Sequence, residues 1–144
     1  MMHLCDSNVF LAIAVGQHAH HSIAAAWFGN LADSDTAVFC RATRISFLRL
    51  LTQKIATDYV PLTNQQAWEA LDQLMADDAT RFEPEPPGLD LIWRQLSEMR
   101  SSSPKVWMDA YLAAFAICGG LRLVTFDKDF RRFQTAGLDL QLLS

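Results

Sequence analysis

Apolar positions along this chain follow two different periods. Short runs rich in β-formers occur at His3 to Cys5, Ala37 to Cys40, Leu121 to Phe126 and Leu138 to Leu143, and each predicts a strand. Between them the apolar residues recur at helical spacing: Ile23, Trp27 and Leu31 in "HSIAAAWFGNLA", Ile45, Leu48, Leu51 and Ile55 in "ATRISFLRLLTQKI", and Trp68, Leu71 and Met75 in "NQQAWEALDQLM". Such stripes predict amphipathic helices that turn those residues to the core. Two further helices are expected, over Leu89 to Met99 after the "EPEPPG" breaker and from about Lys105 to Cys118, the latter opened by Pro104 and closed by Gly119 and Gly120. Another begins near Asn8. Strands separated by helices predict an α/β fold around a mainly parallel sheet. No repeat, low-complexity tract or linker interrupts the chain, so residues 1–144 are expected to form a single domain.

Composition narrows the function classes. A formal net charge of −4 provides no basic field for gripping nucleic acid nonspecifically, so any RNA contact has to come from a local patch. The longest apolar stretch, near "AYLAAFAICGGL", is too short for a membrane helix, and "MMHLCDSNVFLAIAVG" lacks the basic start of a secretory signal. A cytoplasmic location is the expectation. Cys5, Cys40 and Cys118 are odd in number, widely spaced and set among apolar neighbours, which fits buried thiols better than disulfides or a zinc site.

Three carboxylates fall where a parallel sheet would bring them together. Asp6 follows the first strand, Asp127 follows "LRLVTF", and Asp109 lies in the first turns of the helix containing "VWMDAYLAAFA". In an open α/β sheet, ligands gather at the carboxyl ends of the strands and the amino ends of the helices that follow. Each Asp alone has a plainer use as a helix or turn cap. Carboxylates that converge, however, repel one another unless a proton or cation intervenes, and oxygen-only ligands suit Mg²⁺ or Mn²⁺. An ion so held supplies the charge stabilisation that phosphodiester cleavage needs.

Other polar groups are weaker signals. Lys128, Arg131 and Arg132 follow Asp127 and are local candidates for phosphate contact, against a solvated turn. Asp129 is a reserve ligand or a solvent-facing turn residue. In "HAHH", His18 and His21 have a spacing that could ligate a metal on a helix, but Gln17 and Ser22 around them fit a polar loop leading into the second helix. Trp27, Trp68, Trp93 and Phe115 lie on helical stripes and are expected in the core or a subunit interface.

The motifs "DSNVFLA", "CRATRISFLRLLT", "FEPEPPGLD", "KVWMDAYLAAFA" and "LVTFDKDF" resemble, over nearly the whole chain, a PIN-domain ribonuclease of the VapC toxin type. The resemblance implies a PIN-like α/β/α sandwich, an acidic Mg²⁺ or Mn²⁺ site, cleavage of single-stranded or structured RNA, homodimerisation and a cognate antitoxin. Matched by position, Asp6, Asp109 and Asp127 are catalytic and metal-binding acids, while Asn8 and Thr125 are supporting polar residues. The family's second acid, usually a Glu early in the third helix, falls at Arg44. A guanidinium there disfavours a cation, and it can point away, pair with Asp6 or Asp109, or bind an RNA phosphate. It also sustains a rival reading, a catalytically weakened PIN module that binds antitoxin or RNA without cutting. A phosphotransferase of the haloacid dehalogenase type would want a second acid where Asn8 stands, and a receiver domain would want paired acids near Asp6.

Overall fold

The computed structural model describes residues 1–144. Five strands form one sheet in the order β3-β2-β1-β4-β5, and every neighbouring pair is parallel. They are β1 (Met2–Cys5), β2 (Thr36–Phe39), β3 (Thr80–Phe82), β4 (Arg122–Thr125) and β5 (Leu140–Leu142). The helices are α1 (Ser7–Ala14), α2 (His21–Gly29), α3 (Arg41–Leu51), α4 (Asn64–Met75), α5 (Leu89–Ser97) and α6 (Val106–Gly119), followed by a 3₁₀ helix over Lys128–Ala136. Because all strands run the same way, the residues that follow β1, β2, β3 and β4 emerge at one edge of the sheet.

Alternation along the strands supplies both faces. Leu4, Val38 and Leu123 enter a core shared with α5, α6 and the 3₁₀ helix; Cys5, Phe39 and Val124 enter a second core under α1, α3 and α4. A parallel sheet covered on both sides explains why its strands are nearly continuous apolar runs. In the second core Phe10 and Phe39 stack with centroids 3.6 Å apart and planes 8° apart, and Phe47 packs against both. Helix α6 ends at Gly120, whose left-handed backbone (φ +68°) suits glycine. A Cβ on the preceding Gly119 would collide with the Leu121 side chain.

The expected α/β fold and parallel sheet are observed, with local corrections. β3 was not signalled: "TRF" is three residues long and alternates no apolar pattern. β5 is shorter than the run from Leu138 to Leu143. Helix α3 stops at Leu51, leaving Ile55 in the following loop, and its buried face is Thr43, Phe47 and Leu51 while Ile45 is exposed. Likewise Ala67 and Leu71 anchor α4, and Trp68 faces solvent. In both helices one large apolar residue beside the true stripe pulls the apparent face round by about one position. Pro104 precedes α6 rather than opening it, with Lys105 at the cap position.

Candidate active site

Asp6 occupies the N-cap position of α1 but makes no side-chain cap bond. Its backbone N–H donates to the Val124 carbonyl, which holds the end of β1 against β4. Its carboxylate turns toward β4 and accepts the Thr125 hydroxyl at 2.9 Å, with Ser7 donating more weakly at 3.4 Å. The same Thr125 oxygen accepts the Asp127 backbone N–H at 3.0 Å. Thr125 is fully buried and links the two acids. Asp127 in turn caps the 3₁₀ helix by accepting the Asp129 N–H at 2.9 Å, so its turn-capping role and its position at the sheet edge coexist.

Electrostatics brings the remaining acid in. Burial pushes the Asp109 carboxyl up to about 6, reinforced by the charges of Asp127, Asp6 and Asp129 and opposed by Arg132. Burial also raises Asp6, and Asp127 adds to it, while the Thr125 and Ser7 hydrogen bonds work the other way. Asp109 belongs to the first turn of α6 without capping it. Asp109 on α6 therefore feels the charges of the acids that follow β1 and β4, with Asp129 at the margin. The side chains as they stand form no group of three His, Cys, Asp or Glu residues close enough to enclose an ion. The donor chemistry still fits Mg²⁺ or Mn²⁺, since Mg²⁺ keeps several waters and needs only one or two carboxylates with substrate phosphate oxygens.

A cleft of about 380 Å³ opens over Asp6, Asn8, Thr125 and Asp127. His18, His20 and Phe126 complete its walls. The His20 ring stacks on Phe126 at 4.6 Å, and the His18 Nδ1 accepts the His20 backbone N–H at 3.0 Å. His21 leaves this group, its Nδ1 lying 2.7 Å from the Ala12 carbonyl oxygen, so no His18–His21 metal pair exists. The histidine loop is the part of the site that residue spacing missed; its only signal was the polar run itself. A larger groove of about 600 Å³, lined by Arg94, Ser97 and Trp107 among others, contains none of the expected site residues.

The all-parallel α/β sheet agrees with what the chain is similar to. The model of the PIN domain family matches residues 4–135. Ribonuclease VapC41 of Mycobacterium tuberculosis (strain CDC 1551 / Oshkosh) is 44% identical, the match covering 99% of each chain. Ribonuclease VapC31 of the same strain is 32% identical over 92% of this chain and 93% of the relative. The chain belongs to the PIN-domain family of VapC ribonucleases. Among solved structures, VapBC2 from Rickettsia felis bound to a promoter DNA fragment superposes with a TM-score of 0.70 at 14% identity, covering all of both chains. The sarcin-ricin-loop-cleaving toxin VapC20 of Mycobacterium tuberculosis gives 0.64 at 18% identity over 96% of each. At those identities the likeness is one of fold.

Arg44, which the resemblance sets where the family's second acid is expected, pairs with neither Asp6 nor Asp109. Its guanidinium lies 4.2 Å from the centre of the Phe82 ring, and no carboxylate is within ion-pairing distance of it. Lys128, Arg131 and Arg132 are exposed on the 3₁₀ helix, and Arg132 stacks on Phe133 at 5.4 Å while its charge reaches Asp109.

Proposed function

We propose that this PIN domain is a metal-dependent endoribonuclease that cleaves single-stranded RNA, the toxin of a toxin–antitoxin pair. The observation that carries the reading is the gathering of Asp6 and Asp127, joined through Thr125, with Asp109, whose carboxyl is held up by burial and by the charges of the other two, at the carboxyl edge of the sheet. Left to themselves, these groups hold a proton on Asp109 until about pH 6. A cation offsets those charges, so its uptake and proton release are linked.

Asp6, Asp109 and Asp127 would hold Mg²⁺ or Mn²⁺, which when bound lowers the pKa of water and stabilises charge developing on a phosphoryl group. Thr125 fixes the Asp6 carboxylate and favours its ionised form. Asn8, exposed at the cleft wall, is placed to hydrogen-bond water or substrate there, and Lys128, Arg131 and Arg132 supply positive charge beside Asp127. Leu91, Trp107 and Met108 on α5 and α6 expose apolar surface suited to a second copy in a homodimer, and Ile45 and Trp68 expose surface for an antitoxin. A cytoplasmic site of action goes with an RNA substrate.

Purified protein should cut single-stranded RNA with Mg²⁺ or Mn²⁺, stop in chelator, and lose activity in Asp6→Asn and Asp109→Asn while staying folded. Cleavage that survives chelation would exclude the metal mechanism. Arg44 in place of an acid favours a second reading, a weakened module that binds without cutting. RNA binding with no cleavage at any metal concentration would select it.

A further inference from the structure

We propose that Arg41 and Arg44, stacked on Phe82, form a binding site for a backbone phosphate of RNA beside the acidic cleft. The inference rests on the ribonuclease reading for the identity of the polymer, but on its own observations for the site. Phe82 is the last residue of β3, and Arg41 opens α3 immediately after β2. Both arginines reach the same ring, with guanidinium carbons 5.0 and 4.2 Å from its centre. An aromatic face holds a guanidinium flat while leaving its N–H edge directed outward, the geometry in which arginine grips phosphate oxygens.

Two like charges on one ring require compensation, and the protein provides none. Neither Arg41 nor Arg44 has a carboxylate within ion-pairing distance. The acids nearest in sequence to Phe82 are engaged elsewhere, Glu83 with Arg81 at 2.8 Å and Glu85 with the Tyr111 hydroxyl at 2.8 Å. Arg44 Nε is shielded from solvent and has no hydrogen-bond partner, an arrangement unfavourable until an acceptor arrives. Burial and the charge of Arg41 both disfavour the charged form of Arg44. An anion accepting hydrogen bonds from both guanidiniums would supply the missing counter-charge for the pair.

Position selects a nucleic-acid phosphate over a protein carboxylate. β2 lies beside β1, whose end carries Asp6, and β3 lies one strand further out. At about 4.8 Å per strand the ends of β2 and β3, from which the pair and its ring project, stand roughly 5–10 Å from the end of β1 along the same edge. A strand of RNA with one phosphodiester at the acids therefore passes a second one over the pair.

The test is binding of a short fluorescein-labelled oligouridylate in chelator, followed by anisotropy across a salt series. Arg41→Gln and Arg44→Gln should each weaken binding several-fold and reduce the log–log salt slope by about 0.7, the value for one phosphate contact on a single strand. Arg49→Gln, exposed near the end of α3, should change neither. Phe82→Leu keeps both charges but removes the platform, and should weaken binding with the slope retained; this variant guards against a folding effect of the arginine changes, as does equal melting temperature. Unchanged affinity and slope in both arginine variants would overturn the proposal, as would failure of the wild type to bind. Displacement of the RNA by polyglutamate from the wild type but not from the double variant would assign the pair to an acidic protein segment instead. Arginine-dependent binding without cleavage would leave the phosphate site standing and remove the nuclease reading; cleavage with arginine-independent binding would do the reverse.

Discussion

Thr125 donates its hydroxyl hydrogen to Asp6 across 119 residues of chain, and the same oxygen accepts the Asp127 N–H. A single buried side chain thus orients the two acids that follow β1 and β4 and favours the ionised form of Asp6. Thr125→Val keeps the shape but removes donor and acceptor together. It should cost about 1–3 kcal/mol of stability, because a carboxylate oxygen and a backbone N–H lose their partner. With the hydrogen bond gone Asp6 ionises at higher pH, so the acidic limb of the rate profile should move to higher pH. A denaturation curve and a pH–rate profile check both outcomes.

Asp109 gives the protein a pH-dependent stability in chelator. Its folded pKa of about 6 lies above the ordinary 3.8, so the folded state binds the extra proton and is favoured by it. That contribution is fully present below about pH 4 and is lost as pH rises through about 6. A complete separation of those values corresponds to roughly 3 kcal/mol, and solvent screening at this half-exposed carboxyl reduces it to on the order of 1 kcal/mol. Asp109→Asn should flatten the melting temperature between pH 4 and pH 7, measured by scanning calorimetry. The same variant should melt higher than the wild type at pH 7 without metal and lose the rise that Mg²⁺ produces.

The stacked His20 and Phe126 form one wall of the cleft. An aromatic face beside the acids accepts a base without regard to its identity. His20→Ala should raise the KM for single-stranded RNA roughly 5-fold, at the lower end of base-stacking energies since Phe126 remains, and leave kcat within about twofold. Steady-state cleavage assays separate the two; a fall in kcat with KM unchanged would place His20 in the chemistry instead.

The corrected face of α3 has an energetic consequence. Phe47→Ala, on the buried side of α3, opens a cavity against Phe10 and Phe39 and should cost about 3–5 kcal/mol, whereas Ile45→Ala, on the exposed side, should cost under about 0.5 kcal/mol. Urea titrations of the two variants measure this difference directly.

Much of this architecture was legible because strong signals coincide with strong physics. β1, β2 and β4 are continuous apolar runs that a doubly covered parallel sheet demands, and the acids at their ends stand out because nothing local requires a charge there. Strand β3 escaped because an edge strand with one neighbour can be short and carry Arg81 in its centre. The histidine loop escaped for a different reason. Its place at the cleft depends on how the chain between α1 and α2 folds back toward Phe126, which no residue spacing within the loop encodes. Arg44 was recognised as anomalous from its position, but its partner Phe82 arrives from a strand that the sequence did not reveal.

The central position of β1 carries a consequence for the birth of the molecule. During synthesis the strand preceding Asp6 is made well before β4, its neighbour in the sheet, which follows only after α6. At about 5–20 residues per second, the donor for Asp6 is made roughly 6–24 seconds after Asp6 itself. Throughout that interval the nascent polypeptide has neither Thr125 nor Asp127, so the proposed acidic site stays incomplete until β4 and the residues after it are made. A polypeptide interrupted anywhere before β4 carries Asp6 without the hydroxyl that orients it.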